Sequence, residues 1–173
     1  MPYPIFYAGQ RMTAALMQST QPIYVEKPTD QPVTNSTTNV NDTALTASVA
    51  ANAKYFVQGM LLYSARTDTD IKIGWTGPSG SVFDWISHGQ SQDGTGGLAG
   101  SGVVVDRQSI GNTTFPLGGF GAENTTYMTA PFWGRLTTSS TAGSLQLNWS
   151  QRVANVTSSI MRAGSWILLT RVA

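Results

Sequence analysis

The sequence contains no cysteine and only one histidine among its 173 residues. The absence of cysteine excludes disulfides, thiolate metal ligands and cysteine nucleophiles. No apolar run approaches the roughly 18–20 residues that a membrane-spanning helix needs. The N-terminal residues also lack the basic and apolar regions of a signal peptide. We therefore expect a protein made in a reducing cytosol that does not enter a membrane.

Charge is scarce as well, since only 11% of the residues are charged and the formal net charge is +1. Globular domains carry about 25% charged residues. The ten basic residues are scattered along the chain, whereas capture of nucleic acid needs a clustered basic surface. We therefore expect no nucleic-acid partner. Neutral polar side chains dominate instead, which is typical of proteins in crowded assemblies and also of a lightly charged globular β-domain.

The first 34 residues differ in pattern from the rest of the chain. They begin with aromatic residues and prolines, continue with a helix-like stretch over residues 9–20, and end in an extended run punctuated by prolines. Such a segment has too few core residues to fold alone. The pattern predicts an attachment arm over residues 1–34, a polar linker over residues 35–42 and a β-sandwich body over residues 43–173.

The body shows one strand-like segment after another, separated by Gly, Asn, Thr and Ser. Seven to nine short strands with no helix between them predict an all-β fold, an antiparallel sandwich of jelly-roll type. Two segments, residues 54–64 and 164–172, are apolar at consecutive positions. Apolar residues on both sides of a strand predict central strands that are covered on both faces.

Candidate catalytic groups are few. His88 lies near Asp84 and Asp93 in the sequence, but no nucleophile elbow accompanies it. Asp68 and Asp70 lack the glycine and the distal glutamate of a calcium loop. We therefore predict no catalytic, cofactor-binding or metal-binding residue, and no enzyme. The alternative is a glycan hydrolase in which Asp84 acts with a second carboxylate.

The five tryptophans are numerous for this length. Trp149 and Trp166 fall on strongly alternating segments, which predicts core positions. The other three are neighbours of Gly, Asp or Pro, and three interpretations stay open: a core position, a contact between subunits, or a stacking platform for a sugar. The possible glycan or subunit contacts are Trp75, Trp85 and Trp133.

Four stretches together resemble small virion proteins of tailed bacteriophages that infect actinobacteria. They are Tyr7–Met17 (YAGQRMTAALM), Ile71–Gly80 (IKIGWTGPSG), Ala142–Gln151 (AGSLQLNWSQ) and Arg162–Arg171 (RAGSWILLTR). Capsid decoration proteins, head fibres and minor tail proteins of this kind combine an arm with a β-sandwich, often as trimers. Residues 89–125 match nothing in that group, so the resemblance does not assign a ligand to the Gly-rich loop of residues 89–102.

The resemblance implies a non-enzymatic capsid decoration (cement) protein, made in the bacterial cytoplasm and placed as a homotrimer on the capsid exterior. Its partner would be the major capsid protein or another shell protein. The alternative is a minor tail or fibre-tip protein that binds a host-surface glycan. The predicted attachment residues of the arm are Tyr3, Phe6, Tyr7, Arg11, Met12, Leu16, Met17 and Tyr24.

Overall fold

The computed structural model describes residues 6–90, 103–104, 107–122 and 124–172. Within them it has one short helix and fourteen strands, which confirms the predicted all-β fold. The elements are α1 (Ala14–Thr20), β1 (Ile23–Glu26), β2 (Gln31–Val33), β3 (Val40–Val49), β4 (Lys54–Ser64), β5 (Ile71–Thr76), β6 (Val82–Ser87), β7 (Gly89–Gln90), β8 (Val103–Val104), β9 (Gln108–Ser109), β10 (Phe115–Leu117), β11 (Met128–Thr137), β12 (Gly143–Gln151), β13 (Ser159–Met161) and β14 (Trp166–Arg171).

The strands form two main antiparallel sheets. Sheet A has the order β1-β14-β4-β11-β6-β9, with β13 pairing both β4 and β2, and sheet B has the order β10-β5-β12-β3. Strands β1-β14-β4-β11 of sheet A and β3-β12-β5-β10 of sheet B have the order of the eight strands of a jelly roll. The final strand β14 lies between β1 and β4, as expected of a terminal strand that is apolar on both sides.

The core lies between the two sheets and follows the alternation of the strands. Sheet A contributes buried residues such as Val57 and Leu61, and sheet B contributes Leu147 and Trp149. Gly59 in the middle of β4 is a close packing point, because an added Cβ would lie 2.3 Å from the Trp166 carbonyl oxygen. A side chain at this glycine would therefore displace a neighbouring strand.

The body begins earlier than the sequence predicts. Strand β1 pairs with β14 along its whole length, and β2 pairs with β13. The Nζ of Lys27 donates to Asp42 Oδ2 at 2.9 Å, and both side chains of this ion pair are fully buried. The predicted boundaries are corrected accordingly: Ile23–Val33 belong to sheet A, and β3 begins at Val40, inside the predicted linker. That the residues before Ile23 act as a separate attachment arm stays a prediction.

Pro131 lies within β11, between β4 and β6. Its carbonyl oxygen accepts the His88 backbone N–H at 3.0 Å, so its backbone polar groups point toward the β6 side. Pairing between β11 and β6 ends at Phe132 and Ser87. The missing N–H of the proline therefore removes no ladder hydrogen bond, which is why the strand tolerates it.

Candidate attachment and docking surfaces

The described arm, residues 6–22, contains a helix that is shorter than the predicted stretch of residues 9–20. A turn precedes it, with Gly9 at a φ of +77°. Thr13 has extended backbone angles, and its side-chain oxygen accepts the Leu16 N–H at 3.2 Å. This N-cap sets the start of α1 at Ala14. The helix ends before Pro22, as the sequence predicts.

The apolar residues of the arm lie largely in solvent. The exposed fractions are 49% for Phe6, 70% for Tyr7, 51% for Met12 and 53% for Met17. Within the described residues, α1 makes no extensive contact with any strand. A helix of seven residues is marginal in water unless its apolar side packs on something. The arm therefore has the composition and exposure of a segment that needs a partner surface.

The remaining predicted attachment residues have different positions. Arg11 is exposed and Leu16 is partly buried, whereas Tyr3 lies outside the described residues. Tyr24 is a residue of β1 and not of the described arm. Its ring lies at a tilt against that of Trp166, with ring centroids 6.2 Å apart, and its hydroxyl donates to Glu26. That hydrogen bond raises the pKa of the Tyr24 hydroxyl. Its predicted place on the arm was wrong.

Two of the three tryptophans proposed as contacts are core residues. Trp75 is fully buried and Trp85 is 1% exposed, so neither can stack on a sugar or meet another subunit. The Trp75 ring lies 5.1 Å from that of Phe132. Their polar neighbours suggested exposure, but alternation along β6 directs Asp84 outward and Trp85 inward. Trp133 is 39% exposed and keeps its possible role as a contact.

Trp133 belongs to a mostly apolar surface on the side of sheet A that faces away from sheet B. One row of side chains crosses the paired strands β1, β14, β4, β11 and β6, and a second row lies beside it. We call this surface the outer face of sheet A. It consists of Tyr24, Glu26, Phe56, Gln58, Met60, Val82, Asp84, Ile86, Pro131, Trp133, Arg135, Trp166 and Leu168.

A shallow groove of about 430 Å³ runs along the middle of this face. Phe56, Met60, Trp133 and Trp166 line it together with the amide of Gln58. A sugar site normally combines an aromatic platform with several polar groups that fix the hydroxyls. The groove offers mostly apolar and aromatic contacts, so it suits the apolar surface of another protein better than a glycan.

The opposite side of the molecule has the reverse character. Along β12, Asn148 and Ser150 point away from the core, yet they are 4% and 0% exposed. Asn39 lies over them: its Nδ2 donates to Asn148 Oδ1 at 3.1 Å, and its Oδ1 accepts a hydrogen bond from Ser150 Oγ at 2.8 Å. The loop that carries Asn39 therefore covers this part of the outer face of sheet B, whereas Thr46 and Ser48 on the same face are exposed.

The two edges of the outer face of sheet A differ in charge. Near the β6–β9 edge, Asp84 Oδ1 accepts a hydrogen bond from Arg107 Nη2 at 2.5 Å. The Asp84 Oδ2 atom lies 3.8 Å from Arg135 Nη2. Both arginines are more than 70% exposed, whereas the Asp84 side chain is 25% exposed. At the β1 edge, Glu26 is exposed. One end of the face therefore carries an aspartate with two exposed arginines, and the other carries an exposed glutamate.

The candidate catalytic groups are not arranged for a reaction. The ring of His88 lies 4.8 Å from the ring of Trp133, and Asp84 is paired with arginines. Asp93 lies outside the described residues. Among the described residues, no three His, Asp or Glu side chains are grouped to hold a metal ion. No helix in the described ranges is long and apolar enough to cross a membrane. That the protein is not an enzyme stays a prediction.

The fold and these surfaces define an all-β jelly-roll protein with an exposed apolar arm and an exposed apolar sheet face. No family model matches the chain, and no curated protein matches it. The solved structures that it matches include the VP2 subviral particle of infectious bursal disease virus, at 13% identity and a TM-score of 0.22 over 88% of this chain and 41% of that chain. The Gx strain of the same virus gives 14% identity and a TM-score of 0.22, with the same coverage.

The T13 particle of that virus gives 15% identity and a TM-score of 0.21, again over 88% of this chain. This chain spans about two fifths of the length of the chains that it matches. Likenesses at these TM-scores do not bear on what the protein does. The exposed arm and the outer face of sheet A are therefore the features that bear on function.

Proposed function

We propose that the chain is a non-enzymatic virion structural protein, a decoration protein of a tailed bacteriophage capsid. Its arm docks on the major capsid protein or another shell protein, and its jelly-roll body is displayed on the outside. The observation that carries this proposal is the exposure of Phe6, Tyr7, Met12 and Met17 on an arm whose helix makes no extensive contact with the strands among the described residues. The sequence resemblance of the arm and of three body segments to phage virion proteins points the same way.

The energetics of docking favour an arm with several apolar anchors. Burial of one such side chain stabilises a complex by about 1.5–3 kcal/mol, whereas ordering one residue costs about 1–2 kcal/mol. The N-cap at Thr13 already favours the helical conformation of α1 and lowers that cost. Arg11 adds a charge that can donate to a carboxylate or a carbonyl oxygen of the shell.

The residues that follow the arm are fixed in the body by strand pairing and a buried ion pair. Four residues of β1 pair with β14, and the buried pair of Lys27 and Asp42 follows directly. The Lys27 ammonium also donates to Gln31 Oε1 and Thr43 Oγ1, so all three of its protons can be bonded. Tension on a docked arm is therefore transmitted into the sheet. An oligomeric body would join several arms and raise the avidity about 10²- to 10⁴-fold.

The homotrimer and the capsid location that the resemblance implies are parts of this proposal. A fibre-tip protein that binds a host glycan is the alternative, and it would use the groove beside Trp133. The apolar lining of that groove favours a protein partner, so we place the chain on the shell.

Antibody labelling of intact particles of the virus that encodes the chain tests the proposal. Labels distributed over the capsid are expected. Labels confined to the tail support the fibre alternative, and unlabelled particles contradict a place on the virion surface. In a second step, the protein lacking residues 1–21 is mixed with particles stripped of the native protein. The shortened protein should not bind them, whereas the full-length protein should.

A further inference from the structure

The buried pair of Lys27 and Asp42 has the geometry of a reactive pair as well as that of an ion pair. The Lys27 Nζ lies 3.0 Å from Asp42 Oδ1 and 2.9 Å from Oδ2, and both side chains are fully buried. Similar distances to the two oxygens place the carboxyl carbon Cγ beside Nζ, within the roughly 3–3.5 Å of a near-attack arrangement. An amine nitrogen and a carbon that it can attack are therefore already neighbours.

The two carboxyl oxygens of Asp42 have different surroundings. The backbone N–H groups of Ala44 and Leu45 both donate to Oδ1 at 2.9 Å, whereas Oδ2 faces the Lys27 ammonium. Two backbone donors on one oxygen make an oxyanion hole, which stabilises the negative charge that develops when a nucleophile adds to the carbon. Oδ1 is therefore suited to carry this charge, and Oδ2 is suited to leave.

Burial favours a product without charges at this place. An ion pair in a dry interior retains much of the desolvation cost of its two charges, and an amide has none. Groups that the fold holds in contact react as if they were present at about 10⁵–10⁸ M. Such proximity offsets the bulk water that drives amide hydrolysis in solution, and the complete burial of both side chains keeps that water away.

We propose that Lys27 and Asp42 condense after folding to an amide that cross-links their side chains. One proton passes from Nζ to Oδ2, the amine then forms the Nζ–Cγ bond, and the electron pair of the carbonyl bond moves to Oδ1. As Oδ1 re-forms the carbonyl, the Cγ–Oδ2 bond breaks, and the departing hydroxide takes a second proton from Nζ. An ammonium and a carboxylate thus become a secondary amide and one water molecule, with no co-reactant.

Gln31 stands where a general base for this reaction would stand. Its Oε1 accepts hydrogen bonds from Lys27 Nζ at 3.1 Å and from the Thr43 N–H at 2.8 Å. These contacts hold Nζ in position, but a side-chain amide does not take up a proton at neutral pH. The pair must therefore exchange its own protons, so the cross-link forms as a slow maturation of the folded protein.

The cross-link would join the two sheets where the arm enters the body. Lys27 directly follows β1 at one edge of sheet A, and Asp42 belongs to β3 at one edge of sheet B. The chain has no cysteine, so a disulfide cannot brace this place. A pull on the residues before β1 would then act on a covalent bond. The inference goes beyond the proposed function and does not depend on where the protein is placed.

Mass spectrometry of the intact, unfolded full chain tests the cross-link. Freshly purified protein is compared with protein kept warm for several days, and the mass should fall by one water molecule. Cleavage of the chain before Asp30 locates the bond, because the peptides that carry Lys27 and Asp42 should stay joined. A mass without this loss after prolonged incubation overturns the inference, and so does a loss of water after which these two peptides separate.

Two lysine substitutions separate the amide from the ion pair. Lys27→Arg keeps a cation beside Asp42 but cannot form the amide, so it should lose no water. Lys54→Arg is the matched control: Lys54 is exposed, and this variant should lose water as the native chain does. Equal loss of water in Lys27→Arg overturns the inference. If Lys27→Arg proves misfolded, the joined peptides of the native chain decide the question.

Gln31→Glu tests the proton transfer. It places a carboxylate beside Nζ that can accept a proton, and it should speed the loss of water about 10²-fold. An unchanged rate would overturn the role given to the Nζ protons. Loss of water in Gln31→Glu but never in the native chain overturns the cross-link in this protein, because the native side chains would then not suffice for the reaction.

Discussion

The two outer faces of this jelly roll are opposite in chemistry and in exposure. The outer face of sheet B is polar and is partly covered by the loop that carries Asn39, whereas the outer face of sheet A is apolar and open. Buried amides and hydroxyls need partners with defined geometry, and a connected loop such as the one carrying Asn39 provides them reliably. Burial of an apolar surface requires no such defined geometry, so a separate molecule can cover it. The covered face serves the fold and the open face serves assembly.

The largest expected effect concerns the buried polar contacts that hold the fold together. Lys27→Met removes one partner of the buried ion pair and leaves the Asp42 carboxylate without its cation. The free energy of unfolding should fall by about 3–5 kcal/mol, measured by urea denaturation. The double variant Lys27→Met/Asp42→Leu should recover part of this loss. Equal stability of Lys27→Met and the native protein would mean that the pair is hydrated rather than buried.

A matched pair of substitutions sharpens the comparison further. Gln151→Leu deprives the Ser36 and Asn155 N–H groups and two carbonyl oxygens of their partner, so stability should fall by about 2–3 kcal/mol. Gln58→Leu makes the same chemical change on the open outer face of sheet A. It should alter stability by less than about 0.5 kcal/mol. Similar losses of stability in both variants would contradict the distinction between an amide bonded inside the fold and one on the open face.

A smaller effect concerns acid stability at the loops that connect strands of sheet A. The Ala163 N–H, and then Arg162, hold the pKa of the Asp30 carboxyl below its usual value. A lowered pKa contributes stability above the unfolded pKa of about 3.9, and this contribution is lost as the pH falls through the folded pKa. Asp30→Asn should therefore be less stable at pH 7 and should lose less stability below pH 4. Parallel acid titrations of unfolding would contradict this.

Strand pattern alone predicted the class of fold because alternation along β12 and the double-sided hydrophobicity of β4 and β14 are local signals. It placed the start of the body too late because β1 has only four residues and is defined by its pairing with β14, a contact across more than a hundred residues of sequence. The ion pair of Lys27 and Asp42 could not be predicted from the sequence either, because each residue taken alone looks like an ordinary surface charge. Contacts between residues that are far apart in the sequence determine where β1 and this ion pair form.

The docking surfaces were predictable only in part. The exposed arm follows from its composition, and residues 6–22 have the expected exposure. Trp75 and Trp85 stayed open between a core position and a contact, because their polar neighbours obscure the strand alternation that buries them. The outer face of sheet A could have been foreseen from β4, where Phe56, Gln58 and Met60 alternate with core residues. What the sequence could not supply is the register that aligns them with Trp133 and Leu168.

The most direct test of the division between fold and assembly is the native mass of two proteins, the full chain and a chain that begins at Pro22. This shorter protein keeps β1, which the sheet requires. We predict that both sediment as the same oligomer at the same concentration, because the body makes the contact between chains and the arm takes no part. An oligomer in the full chain and single chains after truncation would show that the arm makes the contact, and single chains in both would contradict an oligomeric body.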